Sequence, residues 1–73
     1  MNRIVVLGEP GRVGGFRLGG ATVIEAQGSD DVERAWRALP GDTTLLILTP
    51  GAAEVIADRL PERARLTWVV MPG

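Results

Sequence analysis

The sequence predicts a small α/β domain in which helices cover a doubly wound parallel sheet. The first observation is a set of four short apolar runs, at residues 3–7, 22–26, 43–48 and 66–70. Consecutive apolar side chains, as at residues 4–7 and 45–48, are typical of strands buried on both faces in a parallel sheet. The second is that a segment of helical length separates each pair of runs. The third is the length of 73 residues, which allows a single small domain.

The first half of the chain predicts a strand, a short helix and a second strand. The first strand, residues 3–7 (RIVVL), is stopped by Gly8 and Pro10. Residues 12–18 are long enough for two helical turns, although two glycines within them disfavour a helix. Residues 22–26 (TVIEA) are rich in β-branched side chains, which favour a second strand.

The second half predicts two further helix and strand pairs. A helix is expected to begin with Ser29 or Asp30 as its cap and to end at Pro40, with Trp36 on its apolar face and in the core. Residues 43–48 (TTLLIL) follow as the third strand. Thr49 and Pro50 then favour the start of a helix that continues to residue 60, and residues 66–70 (LTWVV) close the pattern.

The handedness of parallel crossovers selects the strand order. Right-handed connections in the order 1-2-3-4 would place all three helices on one face of the sheet and leave the other bare. The order 2-1-3-4 places the first helix on one face and the other two on the opposite face, in a three-layer, Rossmann-like or flavodoxin-like arrangement. The half-face above strands three and four then stays open. Trp68 lies either in the core or on this half-face. Since exposed apolar surface normally marks an interface, we expect the surface near Trp68 and Val70 to self-associate.

Composition excludes several classes of function. The chain has no cysteine and no histidine, so disulfides, thiolate nucleophiles and the usual zinc ligands are excluded. All eight basic residues are arginine, which leaves no lysine for a P-loop. A net charge of -1 favours neither nucleic-acid nor membrane-surface binding. No apolar run is long enough to cross a bilayer. These features predict a cytoplasmic protein and exclude much of enzyme chemistry.

The glycine-rich turn after the first strand (GEPGRVGGFRLGG, residues 8–20) raises the alternative of a nucleotide site. A dinucleotide fingerprint needs G-x-G-x-x-G, whereas the spacing here is G-x-x-G-x-x-G-G. Glu25 does lie at the end of the second strand, where a ribose-binding carboxylate would be expected. The alternative function is therefore a small nucleotide- or ligand-binding domain that uses residues 8–12 and 49–51.

The same stretch resembles a known family. Residues 15–20 (GFRLGG), after residues 4–9 (IVVLGE), are similar to the N-terminal signature of the V-type ATPase F family, which typically reads G-F-R-L-A-G. Its members are the small central-stalk subunits of the V/A-type ATP synthases. Residues 46–49 (LILT) with 53–56 (AEVI), and residues 69–73 (VVMPG), resemble the family's third and fourth strand regions. The resemblance covers nearly the whole chain.

This resemblance implies a doubly wound fold and a non-catalytic role. The family's members are part of the rotor, where they dock on the coiled-coil stalk protein and help to couple ATP turnover to ion transport. Nucleotide and magnesium belong to other components of the complex, so the resemblance implies a chain with no catalytic residue, cofactor or metal of its own. The glycines of residues 14–20 would serve a tight, closely packed helix. The expected contact residues are Phe16 and Arg17 of the motif, the loop tips Arg12 and Pro50, and Trp68.

The chain departs from the family pattern in two ways. Residues 1–73 correspond to the α/β domain alone, without the C-terminal helical segment that family members usually carry. Pro50 and Gly51 also stand where the family often has acidic residues. The expected location is cytoplasmic and peripheral to the membrane, within an ATPase complex.

Overall fold

A single parallel sheet organises the molecule. The computed structural model describes residues 2–72, apart from the side chains of Arg17 and Leu18. Within this part of the chain, four strands pair in the order β2-β1-β3-β4. All three pairings are parallel. The strands are β1 (Arg3–Gly8), β2 (Thr22–Glu25), β3 (Thr43–Leu48) and β4 (Thr67–Val70). The predicted doubly wound order 2-1-3-4 is confirmed.

Three α-helices connect these strands, and tighter 3₁₀ segments follow two of them. The helices are α1 (Pro10–Val13), α2 (Ser29–Arg37) and α3 (Pro50–Ile56). The 3₁₀ segments span Gly14–Gly19, after α1, and Leu60–Glu62, after α3.

The first helix differs from the prediction of residues 12–18. It begins earlier, because Pro10 at its start has the backbone angle that a helix needs and no N–H to leave unpaired. It ends as α-helix at Val13, where two successive glycines remove the preference for α-helical backbone. The 3₁₀ segment that follows ends before Gly20, whose φ of +86° is the left-handed conformation expected at a helix terminus.

The other two helices also have different bounds from those predicted. The cap of α2 is Gly28, with φ of +87°, and neither Ser29 nor Asp30 takes this position. The helix α3 starts as predicted, with Thr49 as its cap, but ends at Ile56 instead of continuing to residue 60. Pro61 explains the early end, because its ring would clash with the carbonyl four residues earlier in an α-helix.

The main core lies between the sheet and the pair α2 and α3. Val5 and Leu7 of β1 and Leu46 and Leu48 of β3 are fully buried there. Trp36 of α2 is 6% exposed in this core, as predicted, and the guanidinium of Arg63 lies 5.2 Å from its ring centroid. The alternation of side chains along a strand places Val6 on the opposite face, the side of α1.

The face on the side of α1 is covered only in part. Val6 and Val13 are fully buried, so α1 covers the sheet near β1. Ile4 and Val69 are 45% and 48% exposed. The predicted open half-face is therefore present at β4, and the uncovered area also reaches β1 at Ile4.

Candidate functional site

Among the described residues, the most exposed apolar surface is on β4. Its last three residues, Trp68, Val69 and Val70, are 42%, 48% and 43% exposed, and we call them the β4 surface. The strand lies at the end of the sheet order and pairs with β3 along one side. An apolar edge strand without charge or proline is a template for association.

The register between β3 and β4 shows which way these side chains point. Trp68 pairs with Leu46 and Val70 pairs with Leu48, whereas Val69 pairs with Ile47. Paired residues of a parallel sheet share a face. Trp68 and Val70 therefore lie on the side of α2 and α3, and placing them on the open half-face was wrong. The β4 surface instead wraps around the sheet edge, with Val69 alone on the open side.

The open half-face extends the β4 surface across the sheet. By register, Ile4 of β1 and Leu45 and Ile47 of β3 share the face of Val69. Leu45 and Ile47 are half-buried, and Ile4 is exposed. We call these four residues the α1-side patch. It joins the β4 surface at Val69 to make one continuous apolar area.

The predicted contact residues do not form one cluster. Phe16 is 39% exposed on the 3₁₀ segment that packs toward β2, whereas Trp68 lies on β4 at the other edge of the sheet. Arg12 donates a hydrogen bond of 3.0 Å to the carbonyl of Pro72, which ties α1 to the segment after β4. Pro50 is half-buried at the start of α3. The side chain of Arg17 lies outside the described part of the chain.

The glycines expected to allow close packing do not do so within the described chain, although Gly20 has the left-handed φ predicted for the residue that ends the helix. A β-carbon added at Gly14, Gly15, Gly19 or Gly20 would meet no atom of the described chain within 4 Å. The close approaches are at Gly8, where an added β-carbon would lie 2.6 Å from Thr49 Oγ1, and at Gly51, where it would lie 3.1 Å from Glu9 Oε1. Within the chain, the tight packing therefore lies between the ends of β1 and β3.

A polar contact joins these two strand ends. The fully buried hydroxyl of Thr49 donates a hydrogen bond of 2.5 Å to Glu9 Oε2, and its oxygen accepts one of 3.3 Å from the Ala52 amide. The bond from Thr49 is the main reason that the pKa of Glu9 is lowered, with a smaller contribution from the charge of Arg12. Glu9 is therefore ionised at neutral pH. This pair was not predicted from the sequence, although the predicted order 2-1-3-4 makes the ends of strands one and three neighbours.

A crevice opens beside Glu9 at the carboxyl edge of the sheet. It has a volume of about 250 Å³, and its walls are Glu9, Ala26, Gly28, Ser29, Val32, Gly51, Ala52 and Val55. In doubly wound sheets this switch point between β1 and β3 is where a ligand normally binds. Here Glu9 places a negative charge in the wall of the crevice, and the repulsion of like charges disfavours a phosphate ligand.

An ion pair lies at the opposite edge of the sheet. Arg3 donates hydrogen bonds to Asp42 and Thr22, and the pairing with Asp42 raises the pKa of Arg3 and lowers that of Asp42. In residues 2–72, no three acidic side chains converge as metal ligands would. No helix of this described segment combines the length and the apolar character needed to cross a bilayer.

Comparison with protein-family models and with curated protein sequences finds no match for the chain. The exposed apolar area, the geometry around Glu9 and the resemblance carried by residues 15–20 are the observations that bear on function.

Proposed function

We propose that the chain is a non-catalytic docking domain, and that its partner is the coiled-coil stalk of a V/A-type ATP synthase. The similarity of residues 15–20 to the signature of the V-type ATPase F family supports the identity of the partner. The doubly wound sheet in the order β2-β1-β3-β4 is the fold that this resemblance implies. In this role the domain rotates with the stalk and helps to couple ATP turnover to ion transport at the membrane surface.

The observation that carries the docking role is the continuous apolar area made by the β4 surface and the α1-side patch. Trp68 and Val69 project on opposite sides of an edge strand, and both are more than 40% exposed. Such a strand forms a ridge, and a ridge fits the groove between the two helices of a coiled coil. Burying an apolar side chain completely from full exposure is worth about 1.5–3 kcal/mol, so completing the burial of these half-exposed side chains is worth roughly half of that each.

The geometry around Glu9 supports docking over the alternative of a nucleotide-binding domain. The carboxylate lies between the start of α1 and the start of α3 and is held there by Thr49. A nucleotide would have to place its phosphates against this charge. We therefore expect calorimetry with ATP, ADP and NAD to show no binding, and micromolar binding of any of them would favour the alternative.

The partner assignment is tested by co-expression with the coiled-coil stalk protein encoded in the same genome. We expect the two chains to co-purify through size-exclusion chromatography as a one-to-one complex. Elution of the two proteins in separate peaks would contradict the assignment. A coiled coil from an unrelated protein serves as the control, because an apolar area that binds any helix would retain it as well.

A further inference from the structure

We propose that the crevice beside Glu9 is a binding site for an ammonium or guanidinium group carried on an aliphatic stem. This inference does not depend on the coiled-coil assignment, because it rests on the walls of the crevice and on one carboxylate. The β4 surface lies at the edge of the sheet and is not among its walls.

The walls of the crevice suit an aliphatic stem. Four of them are apolar side chains, those of Ala26, Val32, Ala52 and Val55, and two are glycines. A volume of about 250 Å³ accommodates an unbranched chain of the length found in lysine or arginine. Such stems are regularly buried along apolar surface while the charged group at their end finds a polar partner.

The charge of the crevice suits a cationic group. Glu9 is the one ionisable side chain among the lining residues. Its described partner at Oε2 is a hydroxyl, which is neutral and leaves the negative charge in place. A carboxylate has about four acceptor sites, so the bond from Thr49 leaves room for a further donor.

The fixed position of the carboxylate favours binding. Thr49 is fully buried and holds Glu9 Oε2, while Oε1 lies against the Gly51 backbone. Pairing with a ligand therefore costs little side-chain entropy at Glu9. Arg12, the nearest cation, is engaged with the Pro72 carbonyl and does not fill the crevice.

The proposal is tested by NMR titration of the ¹⁵N-labelled chain with n-butylammonium, N-acetyl-lysine amide and N-acetyl-arginine amide. We expect saturable shifts, with dissociation constants of roughly millimolar size, that are concentrated at the amides of Gly28, Ser29, Gly51 and Ala52. N-acetyl-norleucine amide has the same stem without the charge and is expected to cause no saturable shift. Absence of localised shifts with all three cations would overturn the proposal.

Two matched variants distinguish an effect of the Glu9 carboxylate from an effect of the net charge of the chain. Glu9→Gln keeps an oxygen that accepts the bond from Thr49 but removes the charge, and we expect it to lose at least about tenfold in affinity. Glu54→Gln changes the net charge equally on the exposed face of α3, outside the crevice, and is expected to bind as the wild type does. Equal binding by the two variants would overturn the proposal.

A short peptide that contains a single lysine shows whether the natural ligand is a side chain of a partner protein or a small free cation. If the same amides shift with a lower dissociation constant than with N-acetyl-lysine amide, the ligand is a side chain of a partner protein. If the peptide binds less tightly than n-butylammonium and N-acetyl-lysine amide, the ligand is a small cation. Both results support the site, and failure of both probes would overturn it.

Discussion

At the scale of single residues, the tightest point of the structure is Gly8 at the end of β1. A methyl group at this position would lie 2.6 Å from Thr49 Oγ1 and 2.9 Å from Thr49 Cβ. Thr49 is fully buried and engaged in two hydrogen bonds, so it has no free space into which to move. We expect Gly8→Ala to lower the free energy of unfolding by about 1–3 kcal/mol.

Urea denaturation measures this effect, with Gly15→Ala as the control. Gly15 has a negative φ and no atom of the described chain within 4 Å of an added β-carbon. Alanine at such a position is expected to leave stability unchanged or to raise it by about 0.4–1 kcal/mol. Equal effects of the two substitutions would show that the close packing at Gly8 is absent.

Glu9 gives the chain a defined response to acid. Its pKa in the folded state is below the ordinary value of 4.5, chiefly because of the hydrogen bond from Thr49. The contribution of ionised Glu9 to the stability of the fold is therefore fully present above pH 4.5, and it is lost as the pH falls through the folded-state pKa. We expect the wild type to lose stability in this range and Glu9→Gln to lose less.

Thermal unfolding between neutral pH and pH 3 provides the measurement. Asp42, whose pKa is lowered mainly by its hydrogen bond from Arg3, contributes a loss of the same sign in both proteins. The comparison of wild type with variant isolates the part due to Glu9. Parallel curves for the two proteins would contradict the role assigned to the bond from Thr49.

The sequence predicted the burial of Trp36 but not the contact between Glu9 and Thr49. The spacing of apolar positions identified Trp36 as a core residue, because helical periodicity reports burial directly. The pair was not identified, since 40 residues separate its members and their contact exists only once β1 and β3 are neighbours. Pairs of this kind become predictable only when the strand order is used to ask which strand ends meet.

At the scale of elements, the start of α3 depends on one hydroxyl. Thr49 Oγ1 accepts from the Ala52 amide and donates to Glu9, so it joins the helix to the end of β1. Thr49→Val keeps the shape of the side chain and removes both bonds. We expect it to destabilise the protein by about 1–3 kcal/mol, because a helix cap and a buried donor are lost together.

Amide hydrogen exchange locates this effect within the chain. The Ala52 amide is expected to exchange faster in Thr49→Val than in the wild type, relative to amides in β1. Thr49→Ser keeps the hydroxyl and serves as the control, with Ala52 expected to remain protected. Faster exchange at Ala52 in the serine variant as well would assign the effect to the methyl group instead.

The helices show why element bounds were harder to predict than element order. Strand positions followed from short runs of apolar and β-branched residues, and each predicted strand agrees with the structure to within one residue at either end. Helix ends depend on local backbone geometry, such as the left-handed φ of Gly28 and the ring of Pro61. Glycine and proline mark a helix end in the sequence without fixing the residue at which it occurs.

At the scale of the whole molecule, the β4 surface predicts concentration-dependent association. Val69 is 48% exposed and connects the β4 surface with the α1-side patch. In the absence of a partner, we expect sedimentation velocity to show a coefficient that rises with protein concentration. Val69→Lys places a charge at the centre of the apolar area and is expected to keep the chain monomeric.

A charge-matched variant shows whether the effect of the added lysine depends on its position on β4. Ala57 is exposed in the turn after α3, so Ala57→Lys adds the same charge away from β4. Both substitutions are at exposed positions and are expected to change the free energy of unfolding by less than about 0.5 kcal/mol. A wild type that stays monomeric at high concentration, or association that persists in Val69→Lys, would contradict self-association through β4.

The topology of the sheet was predictable because handedness and coverage leave few ways to arrange four parallel strands and three helices. The open half-face followed from the same reasoning, since one short helix covers only part of a sheet face. The face of the sheet on which Trp68 lies was not predictable, because the register of β4 with β3 decides which of its residues point to each side. A shift of one residue would have exchanged Trp68 with Val69.

The central claim is that the apolar area on β4 docks a coiled-coil stalk, and calorimetric titration of that stalk protein tests it most directly. We expect the wild type and Ala57→Lys to bind equally with one-to-one stoichiometry and Val69→Lys to lose at least roughly tenfold in affinity. Absence of binding by the wild type, or equal binding by Val69→Lys, would contradict the claim.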